Sequence, residues 1–183
     1  MSITRRQILQ LVGAGMAATQ VPFATASGLF SKATLKPPRL KTGDTVGLIN
    51  PAGATFHHDD VAIAEETLAA LDLKMKAGEH LLDRYGYLAG TDQARADDVN
   101  SMYADPAVNA IITLRGGWGC NRILDLLDYK SIAKHPKILM GYSDITSLLL
   151  ALNAKTGLVT FHGPVGISTW NKYSTDFVKR LLF

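Results

Sequence analysis

Short apolar runs alternate with helix-like patterns along most of this chain. The runs at 45–49, 73–77, 108–114, 137–140 and 158–161 predict strands, and the lysines in 73–77 make the second of them the weakest. Between the runs, apolar residues recur at helical spacing, first at Val61, Ala64, Leu68 and Leu71, then at Ala96, Val99, Met102 and Tyr103, and later at Ile145, Leu148, Leu149 and Leu152. Because such an alternation needs crossover connections, it predicts an α/β fold with a mostly parallel sheet covered by helices on both faces.

Four segments fall outside this alternation. Residues 27–42 contain two adjacent prolines and no periodicity, which predicts an extended lead-in. The glycine- and tyrosine-containing segment 78–90 predicts a long loop, a kind of segment that is often functional. Residues 175–183 have the spacing of an amphipathic helix, and the glycine turn at 115–119 is expected to open into a helix that carries Ile123, Leu126 and Leu127 inward.

Residues 1–26 have the pattern of an export signal. Arg5 and Arg6 precede an uncharged, mildly apolar stretch, and Ala24 and Ala26 place small residues at the usual cleavage positions. The paired arginines indicate the twin-arginine route and therefore a periplasmic location. The stretch is shorter than the ~20 apolar residues of a membrane span, so no stable span is expected and the mature chain is predicted to begin near Ser27. An amphipathic or buried N-terminal helix is the alternative, which the glycines and proline of the stretch disfavour.

Composition narrows the possible classes of function. The 183 residues include 19 Lys and Arg against 16 Asp and Glu, and a single cysteine. Because Arg5 and Arg6 are the only charged residues before residue 27, the rest of the chain is nearly neutral, and binding to nucleic acid is not expected. One cysteine, Cys120, excludes an intramolecular disulfide and a cysteine-rich metal site, and packing is its expected role. His57 and His58 are adjacent and therefore make a poor metal pair, so neither a metal nor a cofactor is expected.

The candidate chemistry lies where three predicted strands end. In a parallel sheet, sites form beyond the carboxyl ends of the strands, which here carry loops 50–53, 115–119 and 141–144. In the last loop an apolar strand ends in Gly-Tyr-Ser-Asp and passes at once into a helix. That sequence resembles a nucleophile elbow, a tight turn that raises a serine hydroxyl above the sheet edge. Ser143 is therefore the candidate nucleophile.

Physical reasoning also suggests how an oxyanion would be stabilised beside Ser143. The N-terminus of the following helix supplies unpaired amides and the positive end of the helix dipole, and the amide of Asp144 is a natural first donor. A second donor would come from a neighbouring strand end, where the Gly116-Gly117 turn has the backbone freedom for a close approach.

Each of these signals has a plainer alternative. Ser143 has the residue type of an ordinary helix N-cap, and Ile145 replaces the final glycine of the usual elbow pattern. The glycine turn could bind phosphate, although it has neither a P-loop lysine nor dinucleotide spacing. His162 follows a strand end and is a candidate base, but a histidine that bonds a backbone group is equally compatible. His80 and His135 lie in polar loops with no evident partner.

Taken together, the motifs resemble the N-terminal domain of the LD-carboxypeptidases, serine peptidases that are also called muramoyltetrapeptide carboxypeptidases and that include microcin self-immunity proteins. The resemblance covers about residues 38–170. The matching motifs, in chain order, are Asp44, Asn50-Pro51-Ala52, Gly90-Thr91-Asp92, Arg95, Asn100, Asp105-Pro106, Arg115 to Gly119, Leu127-Asp128-Tyr129, Pro136-Lys137, Gly141 to Thr146, and His162-Gly163-Pro164.

The resemblance implies a flavodoxin-like domain, similar also to the class I glutamine amidotransferases. It implies that Ser143 is the nucleophile and that the amides of Asp144 and Gly117 are the oxyanion donors. The implied reaction releases the terminal D-amino acid of a murein tetrapeptide through an acyl-enzyme, without a metal or cofactor. His162 matches a family histidine that is not the catalytic base.

The resemblance also implies that two residues of the catalytic triad are missing from this chain. In this family the glutamate and histidine of the triad lie in a second, C-terminal domain, so the chain is expected to be an inactive fragment. Its expected parts are the signal at 1–26, the lead-in at 27–42, the α/β domain at 43–170, and the start of a truncated linker or helix at 171–183. The alternatives are a non-catalytic periplasmic module that binds murein peptides through Tyr85, Tyr87 and Trp118, and a microcin-type self-immunity peptidase. A homodimer is possible in each case.

Overall fold

Five parallel strands alternate with helices in the computed structural model, which describes residues 33–57 and 59–183. The strands are β1 (Thr45–Ile49), β2 (Lys74–Ala77), β3 (Ala110–Thr113), β4 (Ile138–Gly141) and β5 (Phe161–His162). The helices are α1 (Asp59–Ala70), α2 (Asp92–Ala104), α3 (Cys120–Ile123), α4 (Tyr129–Lys134), α5 (Ile145–Thr156) and α6 (Lys172–Leu182), with a 3₁₀ turn at Leu124–Leu126. The predicted signal at 1–26 lies outside the described residues.

The strands lie in the order β2-β1-β3-β4-β5, and every pair is parallel. The register places Val46 of β1 opposite Ala110 of β3, and Ala110 opposite Ile138 of β4. The order reverses direction between β1 and β3, as it does in flavodoxin-like folds, where ligands bind beyond the carboxyl ends at this switch point. The structure thus confirms the predicted fold class and places the loops after β1 and β3 side by side.

Side-chain alternation along the strands sends apolar residues into both faces of the sheet. Ile111 and Leu139 pack with the apolar faces of α2 and α5, while Ile112 and Met140 pack with α1 and α6 on the other side. The helix residues predicted to face inward are largely buried: all four of α2 and all four of α5 are at most 3% exposed. None of the helices among the described residues is long and apolar enough to cross a membrane.

The last strand is displaced from its predicted position. The pattern predicts a strand at 158–161, whereas β5 comprises only Phe161 and His162. Leu158 instead completes the end of α5, because its amide donates to Thr156 Oγ1 at 3.1 Å and its carbonyl accepts from Asn153. It also forms an isolated parallel bridge with Leu35 of the lead-in. The apolar run therefore begins as a helix cap and becomes a strand only at its end.

The helix predicted after the glycine turn is also wrong in part. It ends at Ile123 and continues as the 3₁₀ turn, which leaves Leu126 39% exposed rather than inward. A separate helix, α4, follows and was not predicted. Its first turn is capped by Asp128, which accepts hydrogen bonds from the amides of Lys130 and Ser131 at 3.1 and 2.9 Å. An Asx-type cap of this kind interrupts a helix and starts another within few residues.

Candidate functional site

Three loops converge at the carboxyl edge of the sheet. The loop after β1 bonds to the glycine turn after β3 through the amide of Gly53, which donates to the carbonyl of Gly116 at 3.4 Å. The glycine turn in turn lies against the elbow after β4, because Gly116 adjoins Ser143. The structure therefore brings together the three loops that the sequence singled out.

Ser143 occupies a strained and exposed turn. Its φ angle is 64°, and it is one of two non-glycine residues with a positive φ in the described part of the chain. The residue is exposed, and its carbonyl, not its hydroxyl, accepts from the amide of Thr146 at 3.0 Å. Among the described residues no hydrogen bond engages Ser143 Oγ. Because an N-cap serine works through its side-chain oxygen, Ser143 does not act as a side-chain cap, and its positive φ is the backbone geometry expected at a nucleophile elbow.

Gly116 permits the close approach of the two turns. A Cβ atom at this position would lie 2.9 Å from Ser143 Cβ, 3.2 Å from the carbonyl oxygen of Tyr142 and 3.3 Å from Ser143 Oγ. Any side chain would therefore push the turn away from the elbow. Gly117, the next residue, has a φ of 132° and passes against the backbone of Gly53.

The amides expected to serve as oxyanion donors are available. Within the described residues, no hydrogen bond uses the amide of Gly117 or that of Asp144. The amide of Asp144 also lies at the start of α5, whose unpaired N–H groups and dipole favour a negative charge. Gly117 directly follows Gly116 and Asp144 directly follows Ser143, so both unbonded amides belong to residues next to the contact between the turn and the elbow.

The carboxylate of Asp144 has a separate partner. It makes no capping bond to its own helix and instead accepts a hydrogen bond from the amide of Cys120 at 2.8 Å. The thiol of Cys120 is buried, and this burial raises its pKa far above the ordinary range. The nearby carboxylate of Asp144 raises the pKa further, by a smaller amount. Cys120 is therefore a protonated packing residue, as the sequence suggested.

A buried arginine lies behind the glycine turn. Arg95 of α2 is 1% exposed, and its Nη1 donates to the carbonyls of Pro51 at 2.7 Å and Gly119 at 2.9 Å. Its other terminal nitrogen pairs with Asp92, which also binds Arg122. The hydrogen bonds from Arg122 hold the pKa of Asp92 below its usual range. Sequence reasoning included Arg95 as a motif residue without a role; the Asp92/Arg95 spacing on one helix was the available signal.

None of the described histidines forms a hydrogen bond with Ser143. His162 is exposed at the end of β5, with its ring centroid 6.3 Å from that of Tyr142 in an edge-on arrangement. His80 does have a partner, contrary to the sequence interpretation, because its Nδ1 lies 2.8 Å from Asp83 and this hydrogen bond raises its pKa. His135 likewise contacts the carbonyl of Ser131. Nowhere in the described ranges do three His, Cys, Asp or Glu residues form a possible metal site.

Exposed aromatic side chains stand near the glycine turn. Trp118 is 75% exposed, and Tyr85 and Tyr87 of the 78–90 loop are 64% and 63% exposed. This loop is tied to α2 by Asp98, which is buried and accepts from the amide of His80 at 3.1 Å. Burial raises the pKa of Asp98. The loop therefore presents exposed aromatic side chains and is held to α2 by a hydrogen bond to a buried carboxylate.

A strained, exposed serine next to a glycine turn, on a flavodoxin-like sheet, defines a candidate site for nucleophilic attack on a carbonyl. The family model for the LD-carboxypeptidase N-terminal domain matches residues 46–163, and the chain belongs to this family.

Comparison with individual proteins agrees with this membership. The chain is 45% identical over 139 residues to a probable murein peptide carboxypeptidase of Bacillus subtilis, covering 75% of this chain and 43% of that protein. It is 39% identical over 124 residues to a murein tetrapeptide carboxypeptidase of Pseudomonas aeruginosa, covering 66% and 39%. The crystal structure of an MccF-like protein from Bacillus anthracis superposes with a TM-score of 0.77 at 32% identity, covering 81% of this chain and 47% of that one. The chain thus spans less than half the length of these relatives.

Proposed function

We propose that this protein is a serine LD-carboxypeptidase that releases the terminal D-amino acid of a murein tetrapeptide through an acyl-enzyme. The observation that carries the proposal is Ser143, exposed at a φ of 64° with a hydroxyl that caps nothing in the described chain. A strain of this kind persists only where surrounding structure maintains it, and it often marks a functional residue.

The proposed reaction uses the site as follows. Ser143 Oγ attacks the carbonyl carbon of the terminal peptide bond and loses its proton to a base, while the carbonyl oxygen becomes an oxyanion. The free amides of Asp144 and Gly117 donate to that oxyanion. The base then protonates the departing D-amino acid, and water, deprotonated by the same base, releases the acyl group from Ser143.

The base is not among the described residues that contact Ser143. No described histidine or glutamate bonds to Ser143 Oγ, so the proposal includes a base and an orienting acid supplied by another part of the protein. It follows that the 183-residue chain alone should not turn over substrate. A longer chain that supplies this base and acid should turn over substrate.

The direct test is Ser143→Ala in the complete protein, with Ser131→Ala, a half-buried serine of helix α4, as the matched control. Turnover of murein tetrapeptide is followed by chromatography of the released D-amino acid. Loss of a nucleophile should lower kcat at least about 10,000-fold, while the control keeps kcat and both variants keep the parental circular dichroism spectrum. Full turnover by Ser143→Ala would contradict the proposal.

A binding module is the second candidate, and the exposed aromatic residues Trp118, Tyr85 and Tyr87 favour it. It predicts saturable binding of murein tetrapeptide that survives Ser143→Ala, with no release of product by the parent protein. Product release by the parent protein separates this candidate from the enzyme, because a Ser143→Ala enzyme would also bind substrate, and calorimetry measures whether either protein binds it at all. The similarity to the microcin C7 self-immunity protein MccF makes a self-immunity peptidase a variant of the enzyme hypothesis. Aspartyl sulfamoyl adenosine, with which MccF forms a complex, is the compound that tests this variant as a substrate.

The setting of this activity is also part of the proposal. Arg5 and Arg6 and the following apolar stretch support export by the twin-arginine route to the periplasm, where murein is the accessible polymer. A variant with both arginines changed to lysine should remain in the cytoplasm, as fractionation would show. Sedimentation analysis of the complete protein would decide between a monomer and a homodimer.

A further inference from the structure

One peptide group in the glycine turn is held at both ends by opposite charges. The carbonyl of Gly119 accepts a hydrogen bond from Arg95 Nη1 at 2.9 Å. The amide of Cys120, the other half of the same peptide group, donates to Asp144 Oδ2 at 2.8 Å. Because a peptide group is planar and rigid, bonds at its two ends fix its orientation as a unit.

Arg95 is held by bonds from both of its terminal nitrogens. The side chain is fully buried, it pairs with Asp92, and the nitrogen that holds Gly119 also holds the carbonyl of Pro51 at 2.7 Å. A buried guanidinium is costly unless it is paired, and the bonds of its two terminal nitrogens favour this position although Nε has no partner among the described residues. The glycine turn is therefore fastened through Arg95 to both α2 and the loop after β1.

The Asp144 side connects the turn to the elbow. An aspartate at the start of a helix commonly caps that helix, but Asp144 makes no such bond and reaches across to Cys120 instead. Asp144 directly follows Ser143, so the chain that carries the nucleophile also holds the peptide group that ends the glycine turn.

We propose that Arg95 and the Asp144 carboxylate are positioning residues that grip the Gly119–Cys120 peptide group and thereby hold the Gly117 amide in register with Ser143. The inference rests on the proposed function, because it assigns these residues to the turn that carries an oxyanion donor. The Asp144 amide would donate to the oxyanion directly, whereas its carboxylate would act only through the turn. An oxyanion donor works over a narrow range of distance, and losing one costs about 100- to 1,000-fold in kcat.

The test compares three variants of the complete protein with murein tetrapeptide as substrate. Asp144→Ala removes the acceptor and keeps the backbone amide, and Asp144→Asn keeps an acceptor oxygen of the same shape. Asp128→Ala is the matched control, because it removes a carboxylate that accepts two amides at the start of α4, remote from the turn. Hydrogen exchange of the Cys120 amide is measured in each protein.

Asp144→Ala should lower kcat about 10- to 100-fold, a part of the loss of a whole donor, with KM changed less than about twofold. Its Cys120 amide should exchange at least about tenfold faster, since its acceptor is gone. Asp144→Asn should recover most of kcat, and Asp128→Ala should lower Tm while keeping kcat and Cys120 exchange at parental values.

The outcomes separate this inference from the function on which it rests. If Ser143→Ala is inactive but Asp144→Ala keeps parental kcat, the positioning role is wrong and the proposed function stands. If Asp144→Asn loses as much kcat as Asp144→Ala, the acceptor is not what matters and the inference is also overturned. If Ser143→Ala retains full turnover, the proposed function fails and the positioning role fails with it.

Discussion

Two buried cations lie near opposite ends of α2, and they hold different parts of the molecule. Arg95, in the first turns, binds the carbonyls of Pro51 and Gly119. Lys137 precedes β4 at the other edge of the sheet, and its Nζ donates to the carbonyls of Met102 at 2.8 Å and of Asp105. Both cations therefore bind backbone carbonyls within a largely apolar core.

The difference lies in what those carbonyls belong to. Lys137 bonds to the end of α2, where helix carbonyls have no partner of their own, so it completes regular secondary structure. Arg95 bonds to two loops that form few hydrogen bonds of the kind that join neighbouring strands. At the amino edge of the sheet a side chain thus completes the end of a regular helix, whereas at the carboxyl edge, with its candidate site, a side chain joins two loops.

Replacing each cation by methionine would test this contrast most strongly. Arg95→Met leaves two loop carbonyls without a donor and Asp92 with Arg122 as its remaining partner, and should reduce the free energy of unfolding by about 2–4 kcal/mol, chiefly through the two unpaired carbonyls. Lys137→Met leaves two carbonyls without a donor and should cost about 1–3 kcal/mol. Urea unfolding of the complete protein measures both values.

The exposed Lys130 provides the control, since Lys130→Met should change the free energy of unfolding by less than about 0.5 kcal/mol. A loss for Lys137→Met equal to that for Arg95→Met would remove the contrast between the two edges. A loss confined to Arg95→Met would sharpen it.

Two glycines with positive φ angles test the crowding of the carboxyl edge. Gly43 has a φ of 85°, and a Cβ added there would meet no atom within 4 Å, whereas a Cβ at Gly117 would lie 2.9 Å from the Cα and N atoms of Gly53. Gly43→Ala should cost about 1–2 kcal/mol for the left-handed backbone alone. Gly117→Ala should cost about 1–3 kcal/mol more, because backbone must shift. Equal losses, measured by urea unfolding, would show that the turn has room to move.

The regular parts of the fold could be predicted because periodicity depends on local sequence. The inward faces of α2 and α5 and the position of β1 follow from apolar spacing, and the structure confirms them. The errors occur where a side chain overrides the pattern. Asp128 starts α4 inside what looks like one helix, and Thr156 and Asn153 hold Leu158 at the end of α5.

The candidate site was predictable as three loops but not as a network. Ser143 and the glycine turn could be found because each follows an apolar strand. The bonds that join the loops could not, since Arg95 and Pro51 are 44 residues apart and Cys120 and Asp144 are 24 apart. Nothing in local periodicity specifies which side chain will meet which carbonyl across such distances.

The smallest expected effect concerns two carboxylates of α2 whose pKa values shift in opposite directions. The pKa of Asp92, beside Arg122 and Arg95, is lowered, so the stability it contributes is present above its unfolded pKa of about 3.9 and is lost as pH falls through the folded value. The pKa of Asp98 is raised by burial, so protonation favours its folded state as pH falls through the raised value. As the pH is lowered from about 7 to 3, the free energy of unfolding should therefore fall less steeply for Asp92→Asn than for the parent and more steeply for Asp98→Asn. The differences should be under about 1 kcal/mol, because Asp92 is partly exposed. If Asp92→Asn left the loss of stability at low pH unchanged, the ion pairs around the glycine turn would contribute no stability of their own. The hydrogen bonds from Arg95 to backbone carbonyls would then be the only side-chain contribution of this group to the carboxyl edge.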